Sequence, residues 1–263
     1  MKKLILLSIL LIVGCEETTA PEPEDCAGVA GGTAVEDNCG VCDGENENCI
    51  TDIDGNWYKT VTLSTQLWMA ENLKVTHYNN GDEIPTGLSS GTDGEWVTTT
   101  EGAYAIYPSD EDGTSQLTCG DDCTDVYGNL YNWFAVDDDR GICPDGWHVP
   151  SDDEYTILAN YLGGVEVAGG KMKKSGNEHW KYDSDEISEE ATNESGFTGL
   201  PAGNRSHLSY GWMGKFGDFW SSSEYEYNSD LAWRRSLKYR TSEFKRNNNQ
   251  FKIYGYSIRC IKD

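Results

Sequence analysis

Residues 127–164 read YGNLYNWFAVDDDRGICPDGWHVPSDDEYTILANYLGG, and this stretch decides the fold class. Its second half spells a helix. Ser151 stands where an N-cap belongs, Glu154 follows three residues later as in a capping box, and Gly163 can end the helix. Tyr155, Leu158, Ala159 and Leu162 recur at helical spacing and are expected to face the core. The first half places Leu130, Trp133 and Phe134 on one apolar helical face. Upstream, GNWYKTVTL (55–63) alternates as a strand does, and QLWMAENL (66–73) reads as a second short strand. Residues 79–125 are dominated by Gly, Asp, Ser and Thr, with Trp96, Tyr104 and Tyr107 as aromatic punctuation, which is long-loop chemistry. Downstream come short aromatic runs, ending in the strand-like KIYGYSIRCIKD (252–263). Short strands, two or three short helices and long loops predict an α+β fold.

The chain has 263 residues, with 20 Lys+Arg against 45 Asp+Glu, a formal net charge of −25. Nine Trp, fifteen Tyr and six Phe argue for a folded core rather than an acidic disordered polymer. Such a surface repels a phosphate backbone, so nucleic acid is excluded as a partner. The charge is uneven. Residues 16–58 carry twelve acids and no bases, whereas residues 201–263 carry six acids and eleven bases. Arg234, Arg235, Lys238 and Arg240 flank Trp233 and Tyr239 in this basic tail, with Lys245, Arg246 and Phe244 following. Basic and aromatic residues together could take acidic glycans or a partner's carboxylates. The competing reading is internal: the strand pairs with the acidic 110–139 region.

The N-terminus carries Lys2 and Lys3, then a short apolar run from Leu4 to Val13, the layout of a secretory signal rather than of a membrane span. Ile12-Val13-Gly14-Cys15 resembles the lipobox of bacterial lipoproteins. That resemblance implies cleavage after residue 14, acylation of Cys15 and a membrane partner reached through the acyl chains. It also implies a mature charge of about −27, since Lys2 and Lys3 leave with the signal. Residues 15–25 then form an acidic Pro/Glu tether, and the acids beside Cys15 resemble surface-export signals of Bacteroidetes-type lipoproteins, implying an outer-membrane location. Residues 26–49 hold Cys26, Cys39, Cys42 and Cys49 among Gly, Asp and Asn, with too few apolar side chains for a core. This segment resembles NCGVCDG-type spacer motifs of secreted bacterial proteins and reads as a disulfide-stapled stalk of open connectivity. Asp25, Asp37, Asp43 and Glu45 could offer oxygens to calcium, against a bland role as surface charge.

The 50–263 region carries a more specific resemblance. GNWYKTVTLSTQLWMAENLKVTHYNNGDEIP, the 127–164 block, ESGFTGLPAGNRS, FWSSSE and YGYSIRCIKD are similar, in order, to the blocks of the Fibrobacter succinogenes major paralogous domain. The family is related to the C-type-lectin-like fold group, which implies a compact domain whose first and last strands meet and whose long loops bind. It implies no established reaction. Among Cys119, Cys123, Cys143 and Cys260, we expect Cys143–Cys260 and a local Cys119–Cys123 bond, because other pairings tie the last strand to a flexible loop.

Catalytic motifs are absent from the sequence. His77, His148, His179 and His207 show no metal-ligand spacing, and His148 in GWHVP reads as a packed, hydrogen-bonded side chain. Ser221, Ser222 and Ser223 lack a recognisable His-Asp pattern and suit strand or turn roles. The wider fold group includes formylglycine-generating enzymes with a cysteine pair, for which this chain shows no counterpart. No EPN, QPD or WND string of the calcium-dependent lectins occurs. The expectation is therefore a non-enzymatic protein without a cofactor, calcium being the one candidate through Asp110, Asp112, Asp121 and Asp122 in acidic loops. The expected role is a lipid-anchored surface module that binds a glycan or a surface protein. The alternative is a structural envelope lipoprotein without a small ligand.

Overall fold

The computed structural model describes residues 22–108, 123–181 and 191–263. They fall into two units divided between Glu45 and Asn46. Cys15, Cys119, Asp110, Asp112, Asp121 and Asp122 lie outside the described residues.

The small unit is built from side chains acting as backbone partners. Asp25 Oδ1 accepts the N–H groups of Ala27 and Val29, and Asp37 Oδ1 accepts those of Cys39 and Val41, at 2.8–3.0 Å. Gly28 and Gly40 occupy the same left-handed position in each loop, with φ of 76° and 68°. One wiring pattern thus recurs at a spacing of twelve residues, and Cys26–Cys42 links the two loops. Cys39 and Cys49 are disulfide-bonded too. These aspartates serve their own loops: hydrogen bonds led by the Val29 N–H lower the Asp25 pKa.

The large unit is α+β and mostly strand. In chain order it contains β1 (Cys49–Thr51), β2 (Trp57–Leu63), β3 (Gln66–Met69), α1 (Glu95–Thr98), β4 (Tyr104–Ala105), α2 (Cys123–Tyr127), β5 (Leu130–Tyr131), α3 (Trp133–Val136), β6 (Trp147–His148), α4 (Asp152–Tyr161) and α5 (Val165–Met172). There follow β7 (Asn204–Arg205), β8 (Tyr210–Gly211), β9 (Phe216–Glu224), β10 (Leu231–Lys238), β11 (Phe244–Phe251) and β12 (Ile261–Lys262). Five helices among the described residues exceed the two or three expected, because several are single turns that carry little periodicity. Cys49, expected in the stalk, opens β1 of this unit.

A five-stranded sheet runs β1-β2-β3-β12-β6, and a three-stranded one runs β11-β10-β9. Ile261 of β12 pairs antiparallel with Trp68 on one side and His148 on the other, so the last strand lies inside the sheet, between β3 and the β6 edge. The adjacent Cys260 is bonded to Cys143, as expected, and both are buried. The helix α4 carries the full capping box: Glu154 N–H donates to Ser151 Oγ at 3.2 Å and Ser151 N–H to Glu154 Oε2 at 2.8 Å. Its Tyr155, Leu158, Ala159 and the following Leu162 are buried with Trp68, Phe197, Phe219, Leu237 and Phe244 in one cluster.

The loop reading of 79–108 holds for the path of the chain apart from α1 and β4, but not for its environment. Trp96, Tyr104 and Tyr107 are buried, so the loop is packed against the domain. Arg259 is fully buried and is held by neutral acceptors. Its guanidinium donates to Asn72 Oδ1 (2.7 Å) and to the carbonyls of Met69, Phe197 and Thr198, and burial lowers its pKa to about 9. A cation solvated by carbonyls in this way fixes the 197–198 turn against the last strand.

His148 joins the sheet to α4. Its Nδ1 lies 2.6 Å from Asp263 Oδ1 and its Nε2 2.9 Å from Glu154 Oε1. Burial works to lower its pKa, but the hydrogen bonds and charges of Asp263 and Glu154 win, and the folded value is raised above 6.5. A raised histidine contributes stability that is complete below its unfolded pKa and lost as pH rises through the folded value. The Tm gap between the native protein and His148→Gln is therefore expected to be widest between about pH 5 and pH 6.5 and to narrow above neutrality. A gap that widens on going alkaline would contradict the ion-pair assignment.

Candidate functional site: an aromatic-walled polar cleft

The basic tail does not form a single exposed face. Arg235 on β10 is 1% exposed and points to α4, where its guanidinium meets Asp152 at 2.8 Å; Arg246 Nε meets the same carboxylate at 2.6 Å. Arg235 is thus withdrawn from the expected ligand surface, its charge consumed by a buried partner. Arg234 turns to the other face of the sheet and is hydrogen-bonded and ion-paired to Asp218 of β9. The acidic partners are therefore Asp152 and Asp218. Within the described part of 110–139, Asp125 pairs with Lys74 and Asp138 with Arg140 instead. Trp233 is mostly buried beneath the Arg246 guanidinium, 3.4 Å from its ring centroid. The Lys238 ammonium lies over the Phe216 ring and the Arg240 guanidinium over that of Tyr239. Of the six expected ligand residues, Arg234 alone lines the cleft described next.

That cleft, about 450 Å³, lies where the β7–β8 hairpin meets the three-stranded sheet. Asn204 and Tyr210 come from the hairpin, Phe216 and Asp218 from β9, Arg234 from β10 and Gln250 from β11, with Tyr254 and Tyr256 closing one side. Strand alternation explains why Arg234 and Ser236 face the cleft while Arg235 and Leu237 face the core. A register shift between Ala232 and Arg234 resets this alternation midway along β10.

The floor is a buried, internally neutral pair. Asp218 is 2% exposed, and its carboxylate accepts from Arg234 and from the Ser236 hydroxyl. Burial raises its pKa above the usual carboxylate value, against the opposing pull of Arg234. The Arg234 guanidinium also sits 4.9 Å from the Tyr256 ring centroid. The Tyr256 hydroxyl donates to Gln250 Oε1 at 2.5 Å, and the Tyr254 and Tyr256 rings stack with an interplanar angle of 17°. Tyr210 accepts from Arg205 Nη1 at 3.2 Å, which ties the hairpin wall to the packed 79–108 loop through Arg205 and Leu88.

The rim carries a strained side chain. Trp212 is 49% exposed and has φ of +65°, a conformation that costs a bulky L-residue about 1–2 kcal/mol. The turn is over-determined: the Trp212 carbonyl accepts the N–H groups of Lys215 and Phe216 at 2.9 and 3.0 Å, and its indole meets Phe216 edge-on at 5.1 Å. An exposed apolar ring held in an unfavourable backbone state beside a cleft is the kind of feature that function explains and stability does not.

The arrangement can hold a ligand that presents both an apolar face and hydrogen-bonding edges. Asp218 is the one carboxylate lining the cleft, so the paired acids of acid–base hydrolysis are not assembled among its described residues. Among the described residues, no group of three or more His, Cys, Asp or Glu is arranged to hold a metal ion. His77 is held by Asp54 at 2.6 Å, and His179 lies 3.1 Å from the Tyr127 hydroxyl. Sequence reasoning found Arg234 but missed Trp212, Asn204, Asp218 and Gln250.

The family model of the Fibrobacter succinogenes major domain matches residues 61–262. No curated protein and no solved structure matches the chain.

Proposed function

We propose that this chain, which belongs to the Fibrobacter succinogenes major domain family, is a non-catalytic binding module whose ligand site is the cleft beside Trp212. The observation that carries the reading is Trp212 itself, half exposed in a left-handed conformation above a buried polar floor. The chemistry of the walls suits a glycan or an extended surface-protein segment. The last strand does not meet the first: β12 pairs with β3, and β2 and β3 lie between it and β1, so support for a C-type-lectin-like relationship comes from β12 joining the sheet of the N-terminal strands and from the loops packed on the domain. The lipobox at Cys15 supports a lipid anchor and display at the outer membrane. Among the described residues no helix is long and apolar enough to cross a membrane.

The test separates binding from stability. A glycan array probed with and without EDTA should give hits that Trp212→Gly abolishes. The same variant should melt no lower than the native protein, because glycine adopts positive φ without the side-chain penalty and gains up to about 1 kcal/mol there. A lower Tm would make Trp212 a structural residue. Hits that persist in Trp212→Gly would move the site elsewhere, and a silent array would favour a structural envelope component.

A further inference from the structure

We infer that the cleft takes an uncharged saccharide, stacked by its C–H face on Trp212 and bound without a metal ion. This rests on the cleft being the binding site and adds the chemical class of its occupant. Four ligand classes can be weighed against the same residues.

An anionic ligand needs an unmatched cation. The cation lining the cleft is Arg234, and its charge is already matched by Asp218, which is buried beside it. A cationic ligand would need a spare carboxylate as well as an aromatic face. The Arg234 guanidinium already lies over Tyr256, and Asp218 is the carboxylate it consumes. A purely apolar ligand would displace water from a wall that includes Asn204, Ser206, Ser209 and Gln250 while offering it no hydrogen bond, a penalty that hydrophobic contact must first offset.

An uncharged polyol meets none of these objections. Side-chain amides such as Asn204 and Gln250 present donors and acceptors together, which matches a hydroxyl's dual character. The indole of Trp212 offers a broad apolar surface for the C–H face of a pyranose ring, and its half exposure leaves that surface open. The cavity of about 450 Å³ lies within the usual range for a small-molecule site. The floor pair fixes the shape of the cleft and leaves its net charge near zero, so affinity should depend little on salt.

The experiment is isothermal titration of the full chain with neutral disaccharides (cellobiose, maltose, mannobiose and xylobiose), with digalacturonate and with choline, each at low and high salt and with EDTA. Saturable millimolar binding of a neutral disaccharide is expected, unaltered by EDTA and nearly unaltered by salt. Affinity should fall about tenfold or more in Trp212→Ala, and Asn204→Ala, at the rim of the floor, should also weaken it. Circular dichroism melts of both variants distinguish lost contact from lost fold. Binding of digalacturonate or choline alone, abolished by Trp212→Ala, would overturn an uncharged saccharide as the occupant while leaving the cleft as the site. Neutral-sugar binding that survives Trp212→Ala at full strength would overturn the cleft as well. Absence of binding by every probe overturns the inference outright.

Discussion

Replacing Asp152 by alanine is expected to destabilise the large domain by about 3–5 kcal/mol, among the largest single-residue effects in the molecule. Asp152 is 4% exposed at the first turn of α4, and its carboxylate serves two arginines at once. Removing it leaves Arg235 charged and buried, with its remaining bonds to the Asp152 carbonyl and Thr156 Oγ1 unable to balance the charge. Burial already depresses the Arg235 pKa, which shows how far the site depends on its counter-ion. The loss also removes an acid from the helix N-terminus, where it complements the dipole. The measurement is chemical denaturation of Asp152→Ala beside the double variant Asp152→Leu/Arg235→Met. The double variant should recover most of the loss, because a well-packed apolar pair can replace a buried ion pair. A single variant that loses less than about 1 kcal/mol would show that Arg235 finds another partner.

The second large effect is expected from Cys143→Ala/Cys260→Ala. The bond spans a sequence separation of 117 residues and joins the loop before β6 to the residue before β12. Opening a loop of that length releases unfolded-state entropy worth about 4–5 kcal/mol, corresponding to a Tm drop of roughly 8–20 °C for a domain of this size. Both cysteines sit in the cluster with Met69, Val75, Tyr131 and Ile258, so alanine also leaves small voids there. Differential scanning calorimetry decides the matter. A drop of only a degree or two would mean that the surrounding sheet, not the bond, closes the loop.

The sequence was most legible where local physics and tertiary structure agree. The helix α4 announced itself through Ser151, Glu154 and its apolar spacing, and β2 through alternation, although the parity of β2 shifts between buried Tyr58 and buried Leu63. The helix α5 escaped notice because VEVAGGKM places two glycines inside a helix. Gly169 is there for closeness: a Cβ would lie 2.5 Å from the Glu243 carbonyl just before β11. β11 itself, FKRNNNQF, shows no apolar alternation, since its polar amides are served by its neighbours, as Asn247 is by Ser236. The Leu130–Phe134 face proved to be a two-residue strand followed by one helical turn, capped by the Asn132 side chain. The basic tail misled for a different reason. Composition counts charges, but it cannot say that Asp218 and Asp152 stand opposite them. The cleft depends on a single odd signal, a tryptophan between glycines in GWMG, where turn propensity argues against so bulky a residue.

The interior position of β12, between β3 and β6, bears on how the domain closes. Residues 261 and 262 complete a sheet whose neighbouring edges, β3 and β6, are synthesised long before. Until the strand arrives, those edges remain open and the Trp68 cluster cannot close over Ile261. Pairing between segments so distant along the chain is slow to form. A nascent chain that still lacks β12 therefore holds the facing edges of β3 and β6 unpaired, and its hydrophobic cluster stays open on that side. The bond between Cys143 and Cys260 holds that late pairing in covalent form, tying the residue before β12 to the loop before β6.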